Sequence, residues 1–447
     1  MTGREVTAQR EGELVSVPTP GRRGIMLRKR RGAAMAVAIV VLTAVLVLPT
    51  SRSVAAQNVP DQVLAWNQHA YDELLVTGAQ PPPLAILNMA AVHGAMYDAV
   101  NAIDGGHEPY LGSPASAKSW YSKNAAAAAA AYRVLLDQLP AREPQLTGYY
   151  QASLATIPDG PRQEGGIDVG EAAAAAMIAF RANDGRTGNP LFTEGTLPGE
   201  WRALAVGGNN FQWVGEVRPF LIPDPEMLRT RGPLDLESAE YAAEFNAVKA
   251  LGRATGSTRT KNQTDAALFW NENAVAMWTR IARQLSAGRG LNTVENARYF
   301  AMLYTTGSDA LIACFDDKER WHFWRPTTAI QLAGDDGNPD TVADPAWTSL
   351  LPVPPYPDHP SGHNCFSGSI VRTLQQFYGT NQMSFSTTNT LAEPDITRSF
   401  SRLSQAIHEI RRARIWGGLH FWTADAQGAR LGRGVANFRQ EHYFQPE

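Results

Sequence analysis

A chain of 447 residues can bury a large core, and its 44% hydrophobic and 19% charged residues are typical of a globular protein. The formal net charge of -3 excludes a nucleic-acid binder that neutralises phosphates over a broad surface, so any anion site must be a local cluster of cations. Two cysteines, Cys314 and Cys365, exclude a disulfide framework. The sequence leaves open whether they form one bridge or two buried free thiols.

The first predicted element is an export signal. Four basic residues at 28–31 precede an apolar run at 33–48, and small residues follow at 54–56. This order is typical of a secretory signal peptide that is cleaved after Ala56. The apolar run is short for a membrane span, which disfavours a retained anchor. Residues 1–56 are therefore predicted to be removed, leaving a secreted chain without a stable membrane span.

From residue 57 onward the pattern is mostly helical, with apolar and small residues at helical spacing and two alanine-rich segments of high helix propensity. The predicted helices cover 86–103, 125–139, 170–182, 264–285 and 294–315. Irregular, Gly- and Pro-rich segments are predicted at 184–236 and 351–360. The sequence thus predicts an all-α fold of two halves that resemble four-helix bundles, joined by long irregular connectors around one core. The halves are predicted at about 57–235 and 236–447.

A cationic pair lies in KERWHFWRP, residues 318–326. Lys318 and Arg325 are seven residues apart, a spacing that predicts one helix face for both side chains. Pro326 is then expected to end that helix.

The stretch HPSGHNCFSGSI, residues 359–370, predicts the start of a helix. Ser361 is the expected N-cap, and Gly362 would let an anion approach the free backbone N–H groups of the first turn. His363 follows directly. The alternative is an ordinary capped helix with a surface histidine.

In RIWGGLHFW, residues 414–422, Arg414 and His420 lie on either side of two glycines. A straight helix would not align these two side chains, but a break at the glycines would let them converge. Together with the two preceding segments, they would form a pocket of three cations and two histidines that suits a tetrahedral oxyanion.

Taken in order, the three segments resemble the signature shared by vanadium-dependent haloperoxidases and type 2 phosphatidic acid phosphatases. The segments AAVHGAMYDAVNAI, PGEWRAL and WRPTTAI are also similar to the soluble, exported bacterial branch of the haloperoxidases. The resemblance implies a helical fold built around two four-helix bundles and a bound vanadate. It implies that Lys318, Arg325 and Arg414 bind the equatorial oxygens, and that Ser361 and the N–H of Gly362 add hydrogen bonds. It further implies an acid–base role for His363 and a bond from His420 to vanadium, with both histidines catalytic.

Two enzymatic functions follow from this resemblance. The first is a haloperoxidase that oxidises bromide or chloride with hydrogen peroxide to hypohalous acid, which then reacts with a small organic acceptor. The second is a soluble, exported acid phosphatase with His420 as nucleophile and His363 as proton donor to the leaving group. A protein that only binds oxyanions would need no acid–base histidine. The sequence leaves the oligomeric state open.

Three neighbouring residues have two interpretations each. Asp425, five residues after His420, is either a group that supports the site or a surface acid. Tyr356 occupies a position where relatives carry Phe or His beside the halide route, so it is a candidate for selectivity or a packing aromatic. His359 either lines the mouth of the pocket or has no functional role.

Overall fold

The computed structural model describes residues 59–114, 116–186 and 188–447, so the predicted export signal at 1–56 lies outside the described residues. The regular structure within these ranges is almost entirely helical, which confirms the all-α prediction. None of these helices is both long and apolar enough for a membrane span. The α-helices are α1 (Gln62–Tyr71), α2 (Pro82–Asp104), α3 (Lys123–Gln138), α4 (Glu143–Ala155), α5 (Pro161–Arg181), α6 (Ala239–Gly252), α7 (Lys261–Phe269), α8 (Ala274–Arg289), α9 (Thr293–Trp321), α10 (Pro326–Gln331), α11 (Gly362–Tyr378), α12 (Leu403–Trp416) and α13 (Trp422–His442).

The long helix α9 connects two groups of helices. It packs on one side against α2, which contacts α3 and α5, and on the other against α11, which contacts α13. The main hydrophobic cluster contains buried residues from both groups of helices, among them Val63 and Phe444, which agrees with a shared core. The division at residue 235 stays a prediction.

Two local predictions need correction. The stretch 264–285 forms two helices, α7 and α8, because the Asn273 side chain caps the second helix by accepting from the N–H groups of Val275 and Ala276. A hairpin of β1 (Phe385–Asn389) and β2 (Ile396–Phe400) also interrupts the helical pattern after α11. At its open end the hairpin buries the cross-strand pair Phe385 and Phe400, which explains why a short hairpin is stable here.

The connector between α5 and α6 is irregular, as predicted, with only short 3₁₀ segments. Asp309 of α9 anchors it, because this buried carboxylate accepts from the backbone N–H groups of Phe220, Leu221 and Ile222 at 2.7–2.8 Å. The connector is thereby fixed against the helix that leads to Lys318.

Helices α11 and α13 lie in unusually close contact. A Cβ atom on Gly432 would come within 1.9 Å of the Cys365 carbonyl oxygen, so only glycine permits this packing. Cys314 and Cys365 are both buried and unbridged, which agrees with the interpretation as free thiols. This close packing places the first turn of α11 beside the segment that carries His420.

Candidate active site

All seven residues predicted for the oxyanion site lie together where α9, α11 and α12 approach one another. Four of them, Gly362, His363, Arg414 and His420, line one cavity of about 210 Å³, and the other three pack beside these. The residues are Lys318, Arg325, Ser361, Gly362, His363, Arg414 and His420.

Lys318 and Arg325 converge, but not through one helix face. Helix α9 ends at Trp321, and His322 takes a left-handed conformation with φ of 46°. Arg325 then lies in extended backbone, and Pro326 begins α10 rather than ending α9. The prediction of a single helix over both cations was therefore wrong, because a reversal of the chain at His322 brings them together.

Both cations are fixed by the proline-rich segment 351–360. The Lys318 ammonium donates to the carbonyl oxygens of Pro357 at 2.6 Å and Asp358 at 3.1 Å. The Arg325 Nε donates to the Tyr356 carbonyl oxygen at 2.8 Å. The Asp358 carboxylate also lies nearby, with its Oδ1 4.0 Å from the Arg325 Nη1, so one buried acid offsets part of the positive charge of this pair.

Ser361 occupies the N-cap position of α11, although its side chain does not bond the helix backbone. The first N–H groups of any α-helix lack an intrahelical acceptor, so those of Gly362 and His363 can bind a ligand. A Cβ atom on Gly362 would lie 4.0 Å from the Lys318 Cε and would narrow the space between them. His363 follows on the cavity side and is half-buried.

Arg414 and His420 meet through the predicted glycine break. Helix α12 ends at Trp416, and Gly418 has a φ of 77°. A Cβ atom at Gly418 would come within 2.5 Å of the Gly252 carbonyl oxygen, so this turn requires glycine. His420 is thereby turned back toward Arg325, whose Nη1 lies 3.2 Å from its Nε2.

The carboxylate that orients His420 is Asp358, which sequence reasoning missed. Its Oδ1 lies 2.7 Å from the His420 Nδ1, and both side chains are buried. The only signal in the sequence was an acid within the proline-rich segment, two residues before Pro360. Its partner stands 62 positions further along the chain.

Asp425 is a second buried acid, and it contacts the first turn of α11. It is fully buried, so its interpretation as a surface acid was wrong. Its Oδ1 accepts from the Asn364 side chain at 2.6 Å, and the same amide nitrogen also donates to the Ser361 hydroxyl oxygen at 3.2 Å. Asp425 therefore positions the start of α11 rather than the imidazole of His420.

Burial and mutual repulsion set the charges of the site. Burial lowers the pKa of Lys318 to about 8 and that of Arg414 to about 10, so both are cationic at neutral pH. Burial, followed by the charges of Arg325, Lys318 and Arg414, holds the pKa of His420 well below its usual range. Burial and then Arg414 lower the pKa of His363 in the same way. Both imidazoles are therefore neutral.

The donor set fits vanadate. Within the part of the chain that the structure describes, the buried Arg325 Nη2 and Arg414 Nε have no hydrogen-bond partner. Such unpaired donors are costly unless an acceptor reaches them, and a tetrahedral oxyanion carries acceptors in the required directions. The neutral His420 adds a nitrogen ligand that is held by a carboxylate, an arrangement common at protein metal sites.

The cavity extends from this cluster toward an aromatic wall. Its apolar lining includes Phe211, Phe315 and Phe366. Glu272, which lies between α7 and α8, also lines the cavity. The Tyr356 ring also lines the cavity, 5.1 Å from the Lys318 Nζ and 5.0 Å from the Arg325 Cζ. Its role in selectivity stays a prediction.

His359 does not line this cavity. It faces a separate small cavity behind the site, where its Nε2 lies 2.9 Å from the Thr230 hydroxyl oxygen. The suggestion that His359 borders the mouth of the pocket was therefore wrong.

Replacing Asp358 with asparagine is expected to weaken vanadate binding about 10- to 100-fold, because the imidazole of His420 loses the carboxyl group that accepts its Nδ1 hydrogen. Burial raises the pKa of this carboxyl to about 7, so the comparison is made above pH 7. The measurement is the apparent dissociation constant for vanadate, determined by reconstitution of the apo protein. Asp336→Asn is the matched control, since this buried aspartate accepts from the Thr341 hydroxyl rather than from a site residue. Equal affinities for the two variants would contradict the role given to Asp358.

The sequence of this chain matches one family model and is similar to one known vanadium chloroperoxidase. Residues 298–446 match the model described as the VCPO second helical-bundle domain. Over 186 residues, 35% of this chain, the sequence is 29% identical to the vanadium chloroperoxidase of Curvularia inaequalis, and the match spans 29% of that protein's length.

Two solved structures share the fold. A bacterial vanadium-dependent iodoperoxidase matches with a TM-score of 0.71 and 22% identity, covering 87% of this chain and 98% of the other. The apo form of a bacterial vanadium-dependent chloroperoxidase matches with a TM-score of 0.66 and 17% identity, covering 80% and 92%. These likenesses cover both helical groups, including the part that precedes residue 298.

Proposed function

Because this chain belongs to the vanadium-dependent haloperoxidase family, we propose that it oxidises halide with hydrogen peroxide to hypohalous acid, using bound vanadate. Bromide or chloride is the proposed halide, and a small organic molecule is the proposed acceptor. The observation that carries the proposal is the convergence of three cations and two neutral imidazoles in one buried cluster, part of which lines the cavity. Neutral imidazoles can bind a metal and accept a proton, whereas protonated ones could do neither.

The oxyanion would be held by the ammonium of Lys318, the guanidinium groups of Arg325 and Arg414, and the first N–H groups of α11. Guanidinium groups match oxyanions through paired N–H donors, and the helix N-terminus adds partial positive charge. When bound, vanadate supplies a Lewis acid that activates peroxide toward attack by halide.

Asp358 determines which nitrogen of His420 is free. Its carboxylate accepts the Nδ1 hydrogen, which leaves the lone pair on Nε2 for the metal. In this structure Nε2 faces the Nη1 of Arg325. The guanidinium therefore lies where it can bind an oxygen of the same ion that His420 ligates.

His363 is the proposed acid–base group. It is neutral, reaches the cavity and lies beside the free N–H groups of α11. A neutral imidazole can take a proton from incoming peroxide and return it to an oxygen that leaves. Burial, and after it the positive charge of Arg414, lowers the pKa of this imidazole and so keeps it unprotonated before the reaction.

The direct test uses purified chain, with and without orthovanadate, in two assays. One measures oxidation of bromide, chloride and iodide by hydrogen peroxide, and the other measures hydrolysis of a phosphate ester. Vanadate-dependent halide oxidation is the expected result. Ester hydrolysis that vanadate inhibits, without halide oxidation, would overturn the proposal in favour of a phosphatase.

Vanadate affinity is expected to fall as the pH rises through about 8, the pKa to which burial lowers Lys318. Only the protonated ammonium attracts the anion, so affinity falls by up to about tenfold per pH unit above this value until the lysine of the complex also deprotonates. The measurement compares the apparent dissociation constant from pH 6 to 10 with that of Lys318→Arg, which keeps its charge. The protonation of vanadate itself affects both proteins equally, so parallel profiles would contradict the expectation.

Secretion is part of the proposal, on the basis of the basic, apolar and small-residue order of residues 28–56. Intact-mass measurement of protein recovered outside the cytoplasm is expected to place its first residue at about 57. A membrane-bound species that retains residues 33–48 would contradict it.

A further inference from the structure

A second cavity of about 210 Å³ lies between α11, α12 and α13, separate from the active site. Its polar lining comes from all three helices, whereas small and aliphatic residues form the rest. The polar residues are Arg372, Gln375, Ser404, His408, Arg411 and Arg433.

The arginines in this cavity form no direct ion pair among the described residues. No carboxylate lines it, and none of its three arginines forms an ion pair within the described ranges. Arg372 donates to the Asn437 side chain at 2.8 Å, and Arg411 donates to the Ala426 carbonyl oxygen at 3.3 Å. Both partners are neutral, so neither of these contacts compensates the positive charge.

One buried donor is also unsatisfied. The Arg411 Nε is buried and has no hydrogen-bond partner among the described residues. The carboxylate that acts on Arg411 is Asp425, which is already bonded to the Asn364 side chain. A buried donor without an acceptor costs free energy, so an acceptor in the cavity would be stabilising.

The electrostatic potential in this cavity is also positive. After burial, the charges of Arg411, Arg412 and Arg433 lower the pKa of His408. The acid of α12, Glu409, pairs with Arg398 at 2.5 Å rather than with an arginine of the cavity. The cavity is thus a concentration of positive charge in a chain whose formal net charge is -3.

We propose that this cavity binds a tetrahedral dianion, the phosphate or sulfate group of a small molecule. Guanidinium groups from three helices can each offer paired donors to such a group. Ser404 adds a hydroxyl, whose oxygen accepts from the Asn381 side chain at 2.9 Å and whose hydrogen can donate to the ligand. The cavity is larger than one oxyanion, so an ester of phosphate or sulfate fits as well as the free ion.

Selenate locates the site directly, because it is a tetrahedral dianion with an anomalous X-ray signal. Crystals of the chain soaked in selenate are expected to show a selenium peak in the cavity, with the selenate oxygens within hydrogen-bond distance of Arg411 and Arg433. A soak that places selenium only at the active site would overturn the proposal.

Binding in solution is tested by calorimetric titration with sulfate, inorganic phosphate and glycerol phosphate. Arg433→Gln and Arg372→Gln are each expected to weaken binding at this site about tenfold, and the double variant to lose one bound anion per chain. Any anion at the active site contributes equally to all these proteins. Arg430→Gln is the matched control, since it removes the same charge from α13 at an exposed position outside the cavity lining.

An equal loss of binding in Arg430→Gln would show a diffuse effect of net charge and would overturn the proposal of a specific anion site. So would wild-type stoichiometry in the double variant. Tighter binding of glycerol phosphate than of inorganic phosphate would identify an ester as the natural ligand, whereas the reverse order would identify the free ion. Thermal unfolding of each variant shows whether the fold is intact.

Discussion

Replacing His420 with alanine is expected to abolish vanadate binding. The imidazole is the proposed nitrogen ligand to the metal, and hydrogen bonds from Lys318, Arg325 and Arg414 cannot replace a coordinate bond. The substitution also leaves the buried carboxylate of Asp358 without its partner at 2.7 Å. The measurement is the vanadium content per chain after reconstitution and dialysis, alongside thermal unfolding to show that the variant folds.

The control for this experiment is His359→Ala, which removes a buried histidine that faces a different cavity. It is expected to retain vanadium, since His359 contacts Thr230 rather than the oxyanion site. Equal vanadium content in wild type and His420→Ala would contradict the assignment of the metal ligand.

Replacing His363 with alanine is expected to lower turnover by about 10²–10⁴-fold while vanadate binding is partly kept. The loss follows from removal of the proposed proton acceptor, whereas the three cations and the N–H groups of α11 remain. The measurement is the turnover number for bromide oxidation at saturating peroxide, expressed per bound vanadium.

The two histidines can therefore be told apart by one pair of variants. His363→Ala should bind vanadium but turn over slowly, whereas His420→Ala should bind no vanadium. Turnover per bound vanadium that equals the wild-type value in His363→Ala would contradict its acid–base role. A loss of vanadium as complete as in His420→Ala would instead place His363 among the groups that hold the ion.

The amino-acid sequence by itself determined the helical class and the residues of the site. Apolar spacing and alanine-rich segments indicate helices because these signals act between neighbours one or two turns apart. The motif residues, among them Gly362 and the glycine pair before His420, were recognisable for the same reason, since each motif is local. Even the convergence of Arg414 with His420 could be expected from the glycines between them.

Only the tertiary structure decided which groups meet across long separations in the chain. Asp358 and His420 are 62 residues apart, and no local pattern marks them as partners. The spacing of Lys318 and Arg325 suggested a helix, yet a left-handed residue at His322 ends α9 between them. The arginine cavity is likewise invisible in the sequence, because three separate helices supply its charges. Helix propensity is set within a few residues, whereas hydrogen-bond partners and charge clusters depend on how whole helices pack.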